Sequence, residues 1–282
     1  MKIYLILILL ILVVHHPLSS STDVCLLTQT QKSHVQTAGK TIFARFIAPT
    51  GFERVKVDES SFAYYLRHLP LKEHGSKVNY FDGREKISNH VYDAVVNLPI
   101  GNKDLHQCAD AIMHVRARYL YKQNRKDEIQ FTFTNGFVAS YANWMEGNRI
   151  IVNGNNVQWK KKTSFADTEQ IFWKYLETVF TYAGTLSLSK ELKPKEIMNL
   201  QIGDVWIQGG SPGHAVVVVD LVQRRSDGKK LFLLAQSYMP AQEIQILKNP
   251  TNAALSPWYE ADFSNSLQTP DWTFKNDDLK GF

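Results

Sequence analysis

The chain has 282 residues, 44% of them apolar and 12% aromatic, enough for one large domain or two small ones with a packed core. Its net charge of +5 comes from 32 basic and 27 acidic residues, and the densest basic run, Lys160-Lys161-Lys162, has the character of a solvated loop. The sequence contains no P-loop, no Rossmann glycine pattern, no nucleic-acid motif and no repeat period, so nucleotide-binding, nucleic-acid-binding and solenoid classes fall away.

Lys2 followed by Ile3 to Val14, an apolar run of 12 residues, has the form of a secretory leader over residues 1–21. The run is too short to span a bilayer, so no stable membrane span is expected once the leader is removed. Thr22-Asp23-Val24 before Cys25 lacks the Leu-small-small pattern of a lipobox. The expectation is therefore an exported protein, periplasmic or extracellular, without a lipid anchor at Cys25. Residues 22–40 are polar and expected to be loose. Residues 41–282 show no break in composition and are expected to form one globular domain.

Ile42 to Ile47 and Phe52 to Val57 are expected to be strands. A helix over Phe62 to Leu69 is capped by Ser60 or Ser61 and stopped by Pro70. Asp82-Gly83 marks a hairpin, and Asp93 to Leu98 an apolar strand. Asn102 is expected to cap a helix from Asp104 to Tyr121, with Leu105, Cys108, Ile112, Val115 and Tyr119 on one stripe. Cys108 is then either a small buried hydrophobe or a nucleophile near a helix start. Glu128 to Phe133 alternates as a half-buried strand. Phe137, Tyr141, Trp144 and Trp159 are expected in the core, or else lining a groove. A second helix runs from its cap at 164–167 to Tyr182, followed by a short one over Ser187 to Leu192.

Leu200 to Pro240 organises the chain. Val205-Trp206-Ile207, a glycine-rich turn from Gly209 to Gly213, Ala215 to Val219, the Asp227-Gly228 turn and Leu231 to Ala235 form a set of buried strands. His214 stands at the mouth of one strand, with Gln236 roughly opposite at the end of the next. His214 is a structural residue or a general base. Cys25 and Cys108 are the two cysteines; the loose segment around Cys25 argues against a disulfide. No Cys/His cluster has zinc spacing, and His90, His106, His114 and His214 are dispersed, so neither metal nor cofactor is expected.

Four stretches carry a resemblance: Gln107 to Ala111, Tyr182 to Ser187, Gly209 to Val216 and Leu233 to Gln242. On these the mature chain resembles an uncharacterised bacterial family known only as a domain of unknown function, the DUF4846 type. A second resemblance rests on order: a cysteine on a helix, Gly203-Asp204, Gly213-His214 at the head of a buried strand, then the polar Gln236. This is similar to papain-like cell-wall hydrolases of the NlpC/P60 and CHAP kinds, though Ala109-Asp110 replaces the Ser-Gly pair usual after their cysteine. The resemblance implies an α+β, papain-like antiparallel sheet packed on the Cys108 helix, with extra N-terminal strands. It implies Cys108 as nucleophile, His214 as base and Gln236 orienting the ring. The implied function is a thiol amidase or peptidase acting on peptidoglycan or another envelope polymer. The alternative is a catalytically inactive module of the same fold that binds envelope glycan or peptide.

Overall fold

The computed structural model describes residues 34–88, 90–261 and 266–282. The expected leader, and Cys25 with its lipidation and disulfide questions, lie outside these residues. Among them, nine strands form one antiparallel sheet: Phe52–Arg54 (β1), Tyr92–Val95 (β2), Lys193–Pro194 (β3), Val205–Gln208 (β4), His214–Arg224 (β5), Lys230–Gln236 (β6), Gln245–Leu247 (β7), Tyr259–Glu260 (β8) and Leu279–Gly281 (β9). The order is β2-β7-β6-β5-β4-β9-β3, with β1 on the far end of β5 and β8 on the start of β6. The architecture is mixed α and β around a large antiparallel sheet. Its centre is β5, an eleven-residue strand buried from His214 through Val222. That is the placement a continuous β-branched run requires, because it has no polar face to offer to water.

Among the described residues, six α-helices accompany the sheet: Ile42–Arg45 (α1), Phe62–Arg67 (α2), Cys108–Lys122 (α3), Tyr141–Met145 (α4), Glu169–Tyr182 (α5) and Thr185–Glu191 (α6). Helix α3 lies against β5, and α5 and α6 lie against α3. Residues 42–45 are a helical turn and not the expected strand. The Thr41 hydroxyl accepts the Ala44 N–H at 3.2 Å, so a cap chose the helix where the apolar pattern allowed either state. Of the segment 22–40 only residues 34–40 are described; there Val35 bridges Phe46, and the Ile47 N–H reaches the His34 carbonyl at 2.8 Å.

Tyr141 and Trp144 are 0% and 5% exposed and pack against Tyr175, so they belong to the core. Phe137 and Trp159 are half-buried against each other. Asp204 of the Gly203-Asp204 pair binds Lys195 Nζ at 2.6 Å and caps the Gln201 N–H at 2.7 Å. It ties a turn, and among the described residues no hydrogen bond joins its side chain to Cys108 or His214. Among the described residues, no helix is long and apolar enough to cross a membrane.

Candidate functional site

Cys108 is the first residue of α3, not the fifth as its expected start at Asp104 would make it. The backbone from Asp104 to Gln107 is used otherwise. Asp104 Oδ1 accepts the Ala241 N–H at 2.7 Å and Gln107 Nε2 at 3.1 Å, which anchors this stretch to the loop after β6. The helix then begins where the Asp110 side chain reaches back to the residue before it, its Oδ2 accepting the Gln107 N–H at 3.0 Å. Cys108 therefore sits where the free N–H groups of a fifteen-residue helix gather. The backbone N–H groups of Ala109 and Ala215 face its sulfur and favour the thiolate.

His214 opens β5 directly beside that contact. Its Nε2 lies 2.8 Å from Gln236 Oε1, which joins two of the three residues expected at the site. The pairing of β5 with β6 explains how. Leu233 pairs with Asp220, but Leu234 pairs with Val218, so Val219 is a bulge. Continued regularly, the first register would set Gln236 opposite Val217, on the face away from His214. The bulge shifts it opposite Val216, on the same face as His214. Tyr238 then falls across from His214, with ring centroids 4.9 Å apart.

A third shell comes from the C-terminal hairpin, Ser266–Gln268 paired with Thr273–Lys275. Its turn delivers Asp271, whose Oδ2 accepts Gln236 Nε2 at 2.7 Å. The next residue, Trp272, places its ring 5.4 Å from His214 and donates its indole N–H to Gln208 Oε1 at 2.9 Å. Phe274 stacks on the imidazole at 5.8 Å. Neither Asp271 nor Tyr238 was singled out from the sequence. The Thr269-Pro270-Asp271 turn was the available signal for the former.

The cavity at this end of the sheet has a volume of about 380 Å³. Its walls include Cys108, Asp110, Thr134, Thr185, Gly213 and Met239. Cys108, only 7% exposed, reaches it; His214, 1% exposed, lies behind Gly213. Among the described residues no hydrogen bond joins the sulfur to the imidazole. Burial pushes the Cys108 thiol up to about 11, with the Asp110 carboxyl adding to the shift. Burial also pushes His214 down to about 4, against the opposing pull of Gln236 and the Asp271 charge. Thiol and ring are thus both neutral near pH 7. Asp110 is raised to about 8 by burial, which favours its protonated form near pH 7, and its Oδ1 has no hydrogen-bond partner.

Two histidines that looked dispersed are in contact. His106 Nε2 and His114 Nδ1 lie 3.1 Å apart, both fully buried, beneath Phe180. Among the described residues no group of three or more His, Cys, Asp or Glu could hold a metal ion.

Gly213 makes the turn into β5 by close approach. A Cβ there would stand 2.5 Å from Thr185 Oγ1, 2.6 Å from the Gly210 carbonyl and 2.8 Å from that of Gln208. Two of these are backbone atoms that cannot swing aside. Gly213→Val is expected to destabilise by about 1–3 kcal/mol, read as a lower melting temperature; an unchanged melt would refute the close-approach account.

No curated protein and no solved structure matches the chain significantly. Over residues 42–281, which contain Cys108, His214, Gln236 and Asp271, the chain belongs to the family described as Domain of unknown function (4846).

Proposed function

We propose that this chain is an exported thiol hydrolase with a papain-like arrangement, cleaving an amide bond in cell-envelope material such as peptidoglycan. The observations that carry the reading are Cys108, at a helix N-terminus on the wall of a cavity with the Ala215 N–H facing its sulfur, and the neighbouring residue His214, whose imidazole is oriented by Gln236 at 2.8 Å. In the empty site the thiol holds its proton and the ring is neutral, so a preformed thiolate–imidazolium pair is uphill. Attack therefore proceeds by general-base catalysis. When substrate fills the cavity, the Cys108 sulfur bonds the carbonyl carbon as its proton passes to His214 Nδ1, the ring nitrogen not engaged by Gln236. The oxyanion takes hydrogen bonds from the first N–H groups of α3 and from the O–H of protonated Asp110. The proton on His214 then leaves with the amine, and water releases the acyl group by the same route.

Site-mapped labelling with iodoacetamide tests this. Folded protein should be alkylated at Cys108, and His214→Ala should slow that reaction by about 100-fold, as loss of a general base does. Cys108→Ser should abolish amide cleavage of peptidoglycan fragments while leaving the melting temperature in place. The second reading is a silent module that binds envelope glycan or peptide, and the missing sulfur–ring bond favours it. It predicts a Cys108 that reacts only on unfolding and a Cys108→Ala variant that loses stability alone.

A further inference from the structure

The Gln236 amide has two ends, and what faces each end decides which nitrogen of His214 is the base. Its NH₂ group points at Asp271 Oδ2, 2.7 Å away, and its oxygen at His214 Nε2, 2.8 Å away. A carboxylate can only accept, so the NH₂ end is committed to Asp271. The oxygen end, which also can only accept, then requires a proton on Nε2. An imidazole with one proton on Nε2 has its lone pair on Nδ1. We propose that Asp271 is a positioning residue that, through the Gln236 amide, fixes His214 as the Nε2–H tautomer and so makes Nδ1 the base. This rests on the thiol hydrolase reading given above.

The surroundings suit such a relay. His214 and Gln236 are both 1% exposed, so water does not compete for either end of the amide. Tyr238, Trp272 and Phe274 hold the ring plane, and Trp272 is tied to β4 through Gln208. Asp271 reaches the site from a separate hairpin, so its side chain can change without altering β5 or β6. In Asp271→Asn the new side chain offers both a donor and an acceptor at that position. The Gln236 amide is then free to turn over and present its NH₂ to Nε2, which moves the ring proton to Nδ1 and removes the base.

Imidazole nitrogen NMR on the full chain reads the tautomer without any substrate. Wild-type protein at pH 7 should show His214 as the Nε2–H form, and Asp271→Asn should show a mixture or the Nδ1–H form. The rate of Cys108 alkylation by iodoacetamide, in which an S–C bond forms, iodide leaves and the thiol proton passes to Nδ1, should fall by about 10- to 100-fold in Asp271→Asn. A wild-type ring already in the Nδ1–H form would overturn the proposal. So would an Asp271→Asn variant with tautomer and rate unchanged while His214→Ala remains slow. If His214→Ala alkylates as fast as wild type, the hydrolase reading itself fails, whatever the tautomer. Asp271→Asn should keep the wild-type melting curve, which separates a lost orienting group from a lost hairpin.

Discussion

Stability of the folded chain should peak near pH 7 and fall steeply on the acid side. Burial pushes His106 and His214 down to about 4, and His114 well below its ordinary value, helped by the charge that His106 would carry. In the unfolded chain each titrates near 6.5. Between about pH 6.5 and 4, then, the unfolded state holds three protons that the folded state refuses. Asp110 works the other way: its folded value is about 8 against an unfolded value near 4, so the folded state keeps one proton that the unfolded state has lost. The unfolded chain is ahead by a net two protons in that window, and stability drops by roughly 2.7 kcal/mol per pH unit as the solution is acidified. Burial raises Asp93, Glu191 and Asp204 as well, and these temper the slope at its lower end. Above about pH 7 the unfolded rings have lost most of their protons and Asp110 dominates, so up to pH 8 stability declines with rising pH by at most about 1.4 kcal/mol per unit. A series of thermal melts checks both limbs. Asp110→Asn should flatten the alkaline limb and steepen the acid one, from a net two protons to three, or roughly 4.1 kcal/mol per pH unit. Melting temperatures that hold steady or rise from pH 6.5 to 5 would show that the three rings are not held neutral as their burial demands.

The parts of this picture that were legible in the sequence are those where local pattern and tertiary demand agree. Ala215 to Val219 and Leu231 to Ala235 are apolar on every residue, and a sheet centre is where such runs go. His214 and Gln236 were found as a pair because both end buried strands next to turns. The start of α3 was misplaced because Asp104, a good first-turn residue by charge, instead serves the Ala241 amide across the molecule. Gln107 and Asp110, the true cap, are an ordinary Gln-x-x-Asp spacing. The 42–47 segment has apolar residues at 42, 43, 46 and 47, which suit a helical turn as well as a strand. The bulge was invisible for a different reason. Val216 to Val219 are identical, so nothing marks Val219 as the residue that slips, yet that slip brings Gln236 to the face of His214. Asp271 lies 35 residues from Gln236, and no local periodicity reports a contact made through a hairpin turn. The His106–His114 contact spans the helix start itself, so a helix beginning at Asp104 hides it.

Asp220→Ala should cost about 3–5 kcal/mol, the range for breaking a buried ion pair from one side. Asp220 lies on β5 just past the bulge and is 0% exposed. Its two oxygens take Arg67 Nε at 2.6 Å and Arg54 Nε at 2.8 Å, and Oδ1 also accepts the Leu221 N–H at 2.8 Å. Arg67 comes from α2 and Arg54 from β1, so one carboxylate fastens two N-terminal elements to the central strand. Removing it leaves the Arg67 guanidinium, with its side chain 5% exposed, without a counter-charge. The arginines would keep their bonds to the carbonyls of Val55, Leu221, Phe43 and Phe46, which holds the loss toward the lower end of the range. Asp220→Ala combined with Arg67→Met should recover part of it, since an apolar chain of similar length no longer needs the charge. Chemical denaturation of the single and double variants measures both. Asp220 sits six residues along β5 from His214, beyond the bulge, so Cys108 alkylation in the folded variant should match wild type. A single variant as stable as wild type would mean that the two arginines already satisfy their charge through solvent and the four carbonyls, and that the carboxylate does not hold the N-terminal elements to the sheet.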